Sequence, residues 1–323
     1  MTKVFRIHAT GGPEVLRWED VEVGDPGPGE ARVRHHAVGV NFVDIYHRSG
    51  LYKLPLPAGI GSEGAGVVEA VGQGVTHVAT GDRVAYERPP GSYAEARLCP
   101  SDRLVKLPDG IGFEDAAAIM LKGLTVQFLI RRTFRVEPGQ TVLWHAAAGG
   151  VGLIACQWLK ALGVTVIGTV GSDAKAEVAR AHGCAHTIVL GQEDFVARVR
   201  AITGGAGVPV VYDSIGRDTF AGSLDCLQPI GMMVSFGNAS GPVAAVEPAL
   251  LAAKGSLFLT RPSLNTYAAK RADLETMAAD LFDAVLTGKV RIAINQRYPL
   301  REAPQAHRDL EARKTTGATV LLP

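Results

Sequence analysis

The segment TVLWHAAAGGVGLIACQWLKALG, residues 141–163, joins an apolar strand to a glycine-rich turn and then to a helix. In the dinucleotide fingerprint GxGxxG, the second glycine lets the backbone approach a pyrophosphate and the third lets the helix pack on the strand. Gly149 and Gly152 fill these two places, and Ala147 stands where the first glycine is expected. Because the N-terminus of such a helix attracts anions, the segment predicts a phosphate-binding turn; a purely structural turn is the alternative.

The same alternation of strand and helix continues along the middle of the chain. The apolar strands are TVLWHA, VTVIGTV, HTIVL, VPVVYD, MMVSFG and SLFLT. Helical patterns cover residues 150–162, 173–182, 193–202, 218–227 and 246–254. This α/β alternation predicts a doubly wound, parallel, six-stranded sheet of the Rossmann type over residues 125–263.

The flanking segments have a different texture. Before residue 120, short alternating segments separated by Gly and Pro predict an antiparallel, barrel-like β domain, followed by a helix that begins near Phe113. After residue 263 come a long helix at about 264–288, a strand at RIAINQRYPL, a helix at 302–313 and a strand at ATVLLP. We therefore expect residues 264–323 to complete a first domain formed by residues 1–124, with residues 125–263 inserted as a second domain.

Charge and cysteine content exclude several classes of partner. Lys and Arg total 33 against 32 for Asp and Glu, so no broad basic surface for nucleic acid or an anionic membrane is expected. Cys99, Cys156, Cys184 and Cys226 are scattered without a CxxC pair, which predicts neither a disulfide framework nor a four-cysteine zinc site. Without the apolar core of a signal peptide near residue 1, these features favour a cytoplasmic protein.

The strand after the glycine turn ends in a way that suits a phosphorylated ribose. Domains that bind NAD carry an Asp or Glu at this tip for the ribose hydroxyl, whereas NADP requires a cation. Here the strand reaches Gly171 without a carboxylate, Ser172 can cap the next helix, and Lys175 lies in its first turn. A solvated lysine is the alternative, and Asp173 alongside would repel a phosphate.

A candidate substrate pocket lies in GVNFVDIYHRSGLY, where Asn41, Asp44, Tyr46 and Tyr52 cluster in a strand-to-loop region. A phenol at Tyr46 or Tyr52 can bond a carbonyl or donate a proton. Packing explains such tyrosines equally well.

A metal site is not predicted. Catalytic zinc requires Cys, His or carboxylate ligands from separated segments, and the local cluster of His182, Cys184 and His186 falls at a helix end that runs into a strand. A bound nicotinamide would then have to supply the reactive hydride.

Several motifs together resemble one family. GGPEVL, GVNFVDIYHRSGLY, EGAGVVEAVGQGV, GDRV, the run at 139–160, VVYDSIGRDT, VSFGNASG and TRPSL are similar to zinc-independent quinone oxidoreductases. These are zeta-crystallin-like members of the medium-chain dehydrogenase/reductase superfamily, and the chain looks most like its bacterial members. The resemblance covers essentially the whole chain and implies a GroES-like barrel with a C-terminal return, a Rossmann domain, NADPH as cofactor and a homodimer.

The resemblance also bears on zinc. Zinc alcohol dehydrogenases have a Cys where this chain has Asn41, and a Gly-His-Glu where it has Gly61, Ser62 and Glu63. Their structural-zinc cysteine loop is missing here. The resemblance therefore implies chemistry without a metal.

Site residues follow from the same resemblance. It implies cofactor contacts from Asn41, Asp44, Tyr46, Thr125, Gly149, Gly150, Val151, Gly152, Gly171, Ser172, Lys175, Ser214, Phe236, Gly237, Asn238, Ser240, Arg261 and Arg313, and catalytic roles for Asn41, Tyr46 and Tyr52. Arg313, on the final helix, would supply a second cation near the ribose phosphate. Family members often carry a tyrosine in the third Rossmann strand where this chain has Leu190, so a reduced preference for NADPH over NADH is expected.

The function that these features favour is NADPH-dependent reduction of a small-molecule quinone without zinc. The quinone is expected in the interdomain cleft, between Tyr46, Tyr52 and the cofactor, with water as the source of protons. Reduction of activated carbon–carbon double bonds, as in alkenals, is an alternative. A non-catalytic, crystallin-like protein that binds NADPH or RNA is an alternative of another class.

Overall fold

The computed structural model describes residues 1–323 and divides the chain into two units. Unit 1 comprises Met1–Leu124, Lys270–Leu286 and Ile292–Pro323, and unit 2 comprises Thr125–Ala269 and Thr287–Arg291. The first boundary falls where the sequence places it. Two short segments, 264–269 and 287–291, differ from the expectation because they belong to unit 2 and do not complete unit 1.

Specific contacts hold these two segments in unit 2. The ring of Tyr267 stacks on Phe128 with centroids 4.5 Å apart, and its carbonyl accepts a hydrogen bond from Arg132 at 3.0 Å. The Gln157 side chain bonds both the backbone N–H (2.9 Å) and the carbonyl (3.0 Å) of Arg291. Neither contact has a local sequence pattern, since each joins residues more than a hundred positions apart.

The regular elements are numbered in chain order. The strands are β1 (Thr2–Ile7), β2 (Arg17–Val21), β3 (Glu30–Val40), β4 (Ala58–Gly59), β5 (Glu63–Val71), β6 (Arg83–Glu87), β7 (Ala96–Pro100), β8 (Val105–Lys106), β9 (Thr141–Trp144), β10 (Thr165–Val170), β11 (His186–Val189), β12 (Val208–Asp213), β13 (Leu227–Ser235), β14 (Phe258–Thr260), β15 (Ile294–Pro299) and β16 (Ala318–Leu322). The helices are α1 (Phe42–Ser49), α2 (Phe113–Phe128), α3 (Gly150–Ala161), α4 (Asp173–Ala181), α5 (Phe195–Ile202), α6 (Phe220–Asp225), α7 (Pro248–Ala253), α8 (Leu264–Tyr267), α9 (Arg271–Leu286) and α10 (Ala303–Glu311). Short 3₁₀ helices cover Pro13–Val15, Ser101–Arg103 and Leu300–Glu302, and α2 continues into a π-helical turn, Leu129–Thr133.

Unit 1 contains two sheets. The larger has the order β15-β16-β3-β5-β6-β8, with β7 also paired to β3, and all its pairs are antiparallel except β15 with β16. The smaller has the order β2-β1-β4. Alternation along β3 explains its place in the unit, because Ala31 and Val33 are fully buried while Arg32 and Arg34 turn outward and pair with Glu69.

Unit 2 is a six-stranded sheet with the order β11-β10-β9-β12-β13-β14, in which every pair is parallel. The order reverses between β9 and β12, which is the switch point where open α/β sheets bind ligands. Leu143, Ile167, Val211 and Met233 from four neighbouring strands are fully buried in its core. The predicted six-stranded Rossmann sheet is confirmed.

Two sequence-based expectations for the C-terminal part are wrong in detail. The long helix expected at 264–288 is two helices, α8 and α9, because Ala268 closes α8 with its N–H bonded to Leu264 at 2.8 Å. Arg313 lies beyond the end of α10, in the left-handed region with φ 56°, and not on the helix. None of the helices combines the length and apolar character that crossing a membrane would require.

Candidate active site

The glycine-rich turn between β9 and α3 is built from backbone contacts. Gly149 caps α3, and its carbonyl accepts the N–H of Leu153 at 2.8 Å. A Cβ on Gly152 would lie 2.4 Å from the carbonyl oxygen of Ala146 and 2.6 Å from that of Ala147, so only glycine fits there. Since the first N–H groups of a helix have no acceptor within it, the turn leaves backbone donors for an anion.

Ala147 replaces the first glycine of the fingerprint without disturbing the turn. Its N–H donates to Thr169 at 3.0 Å and its side chain is fully buried. A Cβ on Gly168 of the neighbouring strand would come within 2.6 Å of the Ala147 methyl group. The glycine at 168 therefore provides the space that the alanine at 147 occupies.

The first turn of α4 carries the predicted phosphate-binding groups. Ser172 is the N-cap, with its hydroxyl oxygen accepting the N–H of Lys175 at 3.4 Å. Nothing lies within 4 Å of a Cβ placed on Gly171, so the backbone there is open to a ligand. Asp173 accepts a hydrogen bond from Gln192 at 3.2 Å, which fixes a negative charge beside Lys175.

Asp213, at the end of β12, organises the loops on the same edge of the sheet. One of its carboxylate oxygens accepts the N–H groups of Ile215 (2.7 Å) and Gly216 (3.0 Å), which fixes the loop that begins at Ser214. The other accepts the hydroxyls of Thr219 (2.7 Å) and Ser223 (3.1 Å).

The loop after β13 is hydrogen-bonded to the loop that begins at Ser214. The N–H of Phe236 donates to the backbone carbonyl of Asp213 at 2.8 Å, and the Ser240 hydroxyl donates to the carbonyl of Ile215 at 2.9 Å. Gly237 has no room for a Cβ, which would lie 2.4 Å from the Ser214 carbonyl. Gly237 and Asn238 lie in this loop, and Arg261, after β14, donates to the Ser235 carbonyl at 3.0 Å. The structure thus brings these residues to the carboxyl edge of the sheet, together with the glycine turn and Ser172.

A buried histidine, His145, connects elements at this edge of the sheet through its side chain. His145 bonds the hydroxyls of Thr169 (2.8 Å) and Ser223 (2.9 Å), and it is fully buried. Burial lowers the pKa of His145, although the Asp213 carboxylate opposes that shift. A neutral imidazole therefore links the end of β9 to β10 through Thr169 and to α6 through Ser223.

In unit 1, the predicted pocket residues lie on α1 or beside its ends: Asn41 precedes it, Asp44 and Tyr46 are within it, and Tyr52 follows it. Asn41 is the N-cap, and its backbone N–H donates to Asp44 at 2.9 Å. Asp44 is fully buried and also accepts hydrogen bonds from the hydroxyls of Ser62 (2.6 Å) and Tyr93 (3.1 Å). Burial raises the pKa of Asp44 to about 7 in spite of these hydrogen bonds. The carboxyl group thus holds the N-terminus of α1, Ser62 and Tyr93 together.

The two predicted tyrosines contact each other. The ring centroids of Tyr46 and Tyr52 are 5.2 Å apart in an edge-on arrangement, and the N–H of Tyr52 donates to the carbonyl of Tyr46 at 3.0 Å. Tyr46 is 9% exposed, whereas Tyr52 is partly exposed. The structure therefore brings Asn41, Asp44, Tyr46 and Tyr52 into one region of unit 1.

A buried ion pair that the sequence analysis missed lies under Asn41. Glu63 is fully buried and accepts hydrogen bonds from the side-chain amide of Asn41 (2.8 Å), the backbone N–H of Leu121 (2.8 Å) and the ammonium of Lys122. A Cβ on Gly39 would lie 2.2 Å from the Glu63 carboxylate. The glycine in β3 thus makes room for the pair.

A hydrogen-bonded chain extends from Asp44 to the surface of unit 1. Arg48 donates to His307 Nδ1 at 3.1 Å and pairs with Glu311 at 2.6 Å. Because a guanidinium only donates, Nδ1 accepts, Nε2 carries the hydrogen that bonds Tyr93 (3.0 Å), and the Tyr93 hydroxyl donates to Asp44. Burial, together with the Arg48 charge, lowers the pKa of His307 to about 3. The imidazole is neutral and the chain has one fixed direction.

The contacts described above, at the carboxyl edge of the unit 2 sheet and around α1, do not include Thr125 or Arg313. Thr125 lies within α2, and Arg313 lies in unit 1 just beyond α10. No group of three or more His, Cys, Asp or Glu side chains is arranged to hold a metal ion.

Family models match both parts of this architecture. Residues 27–109 match the alcohol dehydrogenase GroES-like domain, and residues 150–282 match a model described as zinc-binding dehydrogenase. A GroES-like unit and a Rossmann unit in one chain define the medium-chain dehydrogenase/reductase class of oxidoreductases, which confirms the predicted fold class.

Full-length relatives narrow this class. The chain is 56% identical to a quinone oxidoreductase of Pseudomonas aeruginosa, with 100% of both chains covered. It is 49% identical to a 2-haloacrylate reductase of a Burkholderia species, with 98% of both covered. The solved structure of Escherichia coli quinone oxidoreductase complexed with NADPH matches with a TM-score of 0.98 and 48% identity over 100% of both chains. The chain belongs to the quinone oxidoreductase family, as its motifs predict.

Proposed function

We propose that this protein reduces quinones with NADPH and without zinc. The observation that carries the proposal is the carboxyl edge of the unit 2 sheet, where a glycine turn fit for a pyrophosphate neighbours Ser172 and Lys175. A hydroxyl, an ammonium and helix N–H groups suit a 2′-phosphate. The names of the quinone oxidoreductase relatives support a quinone as the acceptor.

The residues at this edge fit the cofactor. The N–H groups of Gly150, Val151 and Gly152 would hold the pyrophosphate, while Gly149, whose own N–H donates to Ala146, would let it approach the backbone. Gly171, Ser172 and Lys175 would hold the ribose phosphate. We assign further cofactor contacts to Asn41, Asp44, Tyr46, Thr125, Ser214, Phe236, Gly237, Asn238, Ser240, Arg261 and Arg313. NADPH, when bound, supplies the hydride that the chain's own side chains cannot provide.

The phenols of Tyr46 and Tyr52 provide the acceptor end of the site. Their edge-on contact fixes both rings, which gives a flat acceptor an aromatic wall and hydroxyl donors for a carbonyl oxygen. Asn41, held by Glu63, is the third group that we assign to the acceptor site.

Zinc does not fit the side chains at the corresponding place. The Asn41 amide and the Ser62 hydroxyl are bonded to Glu63 and Asp44, and neither is a ligand type that zinc prefers. The Lys122 ammonium on Glu63 places a positive charge where a cation would have to bind. We therefore derive no step through a metal.

The first test is oxidation of NADPH and NADH by purified protein with benzoquinone, phenanthrenequinone or an alkenal, after treatment with a chelator. We expect NADPH oxidation that depends on quinone and survives chelation. Lys175→Met should raise the KM for NADPH about tenfold through loss of one charge-assisted contact, and should leave NADH unchanged. Equal KM values for the two cofactors in the unmodified protein would contradict the assignment of the phosphate site.

A second candidate is reduction of activated double bonds, which the 2-haloacrylate reductase relative favours. In this reaction the acceptor carries a carboxylate or a carbonyl conjugated to the double bond. Turnover of the alkenal or of 2-haloacrylate without turnover of either quinone would replace the quinone proposal by this one.

We also propose a homodimer formed through β14. This strand is the edge of the unit 2 sheet and exposes Phe258 (55%) and Leu259 (36%), while Ile230, within the neighbouring strand β13, is 68% exposed. An apolar open edge of this kind pairs readily with a second strand. Light scattering should give twice the monomer mass, and Phe258→Glu should shift the protein to the monomer mass; a monomeric unmodified protein would refute the proposal.

A cytoplasmic location completes the proposal. All four cysteines are buried and free, which suits a reducing compartment.

A further inference from the structure

Lys122 is an isolated charge on the buried part of α2. It is the only Asp, Glu, Lys or Arg between Asp115 and Arg131, and it follows the apolar run AAAIML. Its side chain is 6% exposed. Lysine is among the residues least often buried, so its position within this helix requires a specific partner.

The partner is Glu63, which accepts only one of the hydrogen bonds that the Lys122 ammonium can donate. Lys122 makes one hydrogen bond with the protein, to one oxygen of the Glu63 carboxylate. Because an ammonium has three N–H donors, two of them have no acceptor in the chain. Leaving buried donors without acceptors is unfavourable, which points to an oxygen that a ligand brings.

Glu63 also places this ammonium next to the acceptor site. The side-chain nitrogen of Asn41 donates to the same carboxylate oxygen that Lys122 bonds. Two donors that share one oxygen are neighbours in space. The remaining N–H groups of Lys122 are therefore available within a few ångströms of Asn41.

We propose that Lys122 is a catalytic residue that donates a hydrogen bond to the acceptor's carbonyl oxygen; this inference rests on the proposed quinone reductase function. Transfer of one hydride from NADPH to the quinone leaves a hydroquinone monoanion. Its negative oxygen takes one proton from the Lys122 ammonium, and solvent water returns a proton to the amine, leaving hydroxide. NADPH, quinone and one water thus give NADP⁺, neutral hydroquinone and hydroxide, so charge and protons balance.

A full positive charge is most effective on an oxygen that becomes negative during the reaction. Such an interaction is stronger in the transition state than with the bound substrate, and it therefore raises kcat. A ribose hydroxyl or an amide of the cofactor gains no charge during hydride transfer, so the same contact there would change only cofactor affinity. This difference provides the test.

The experiment compares Lys122→Met and Lys122→Arg with the unmodified protein, using NADPH binding by fluorescence and steady-state turnover of several quinones. Lys106→Met is the matched control, because Lys106 also pairs with a carboxylate, Asp82, but lies on the surface of unit 1. We expect Lys122→Met to lower kcat about 100-fold, the loss that follows removal of one oxyanion donor. NADPH affinity should stay within about threefold, and Lys122→Arg, which keeps the charge, should recover most of the activity.

The double variant Glu63→Gln with Lys122→Met separates catalysis from folding. Lys122→Met alone leaves the buried Glu63 carboxylate without a cationic partner and is expected to lower Tm, whereas the double variant removes both charges and should restore Tm. Turnover should stay about 100-fold low in the refolded double variant. The loss should also be smaller for electron-poor quinones, whose own ring disperses the charge.

Three results would overturn the role of Lys122: unchanged kcat in Lys122→Met, recovery of kcat together with Tm in the double variant, or a loss confined to NADPH affinity. Absence of quinone turnover in the unmodified protein would instead overturn the proposed function. The failure of the function and the failure of the Lys122 role therefore give different results.

Discussion

At the scale of single residues, Asp173 and Lys175 place opposite charges in the first turn of α4. Asp173 is held there by Gln192, close to the proposed phosphate site. Asp173→Asn keeps an oxygen that can accept from Gln192 but removes the charge that repels a phosphate. We expect the KM for NADPH to fall about threefold at low salt and less at high salt, because solvent screens exposed charges.

The matched control for this change is Glu177→Gln, one turn further along α4, where the carboxylate pairs with Arg180. It should leave the KM for NADPH within error. An equal effect of Asp173→Asn on NADH would show that the aspartate acts on something other than the phosphate.

At the scale of elements, two glycines have different roles: Gly152 lets α3 pack against the glycine turn, and Gly171, between β10 and α4, leaves its backbone open to a ligand. A Cβ at 152 would clash with two carbonyl oxygens, whereas one at 171 meets nothing within 4 Å. Gly152→Ala should lower Tm by several degrees and weaken NADPH binding at least tenfold, because the turn itself must shift. Gly171→Ala should leave Tm unchanged, so any loss of affinity there measures how closely the cofactor approaches the backbone.

The hydrogen bonds that run from Arg48 through His307 and Tyr93 to Asp44 join α1 to α10. They lead to a second prediction at the scale of elements. Tyr93→Phe removes the donor to Asp44 and the acceptor for His307. Buried groups left without partners should lower the free energy of unfolding by about 1–3 kcal/mol in urea titrations. The control is Tyr298→Phe, whose hydroxyl bonds Asp309 in a partly exposed position; a comparable loss there would contradict the role of burial.

At the scale of the whole molecule, buried histidines and buried carboxyl groups change the free energy of unfolding in opposite directions as the pH changes. Burial lowers the pKa of His307 to about 3 and of His35 to about 4, and raises the pKa of Asp44 and Glu87 to about 7. The histidine contributions are full above about pH 6.5 and are lost as the pH falls, because only the unfolded chain takes up those protons. The carboxyl contributions have the opposite sign and are lost as the pH rises toward about 7.

His307→Gln isolates one of these groups. A glutamine can accept from Arg48 with its oxygen and donate to Tyr93 with its nitrogen, and it is neutral at every pH. Between about pH 6.5 and pH 5, the free energy of unfolding of the variant should gain on the unmodified protein by about 1.4 kcal/mol per pH unit. Urea titrations at several pH values measure this difference; His186→Gln, on an exposed strand position, should show no such gain.

Local patterns predicted much of the fold, together with the glycine turn and the N-cap of α4. The fingerprint around Gly152 and the N-cap at Ser172 depend on neighbours a few residues away, and both were predictable from the sequence. Lys122 with Glu63, and Tyr93 with His307, join residues 59 and 214 positions apart. No periodicity encodes such pairs, although the lone lysine in an apolar helix was a signal for the first.

The place of β16 in the sheet of unit 1 has a consequence for synthesis of the protein. Residues 318–322 pair with both β3 and β15, while the strands of unit 2 are complete by residue 260. A nascent chain on the ribosome can therefore complete the unit 2 sheet while the Val38–Val40 end of β3, which β7 does not cover, still lacks its partner strand. Because exposed strand edges pair with other chains, the emerging polypeptide is open to aggregation during this interval, and a chaperone that covers the edge would protect it.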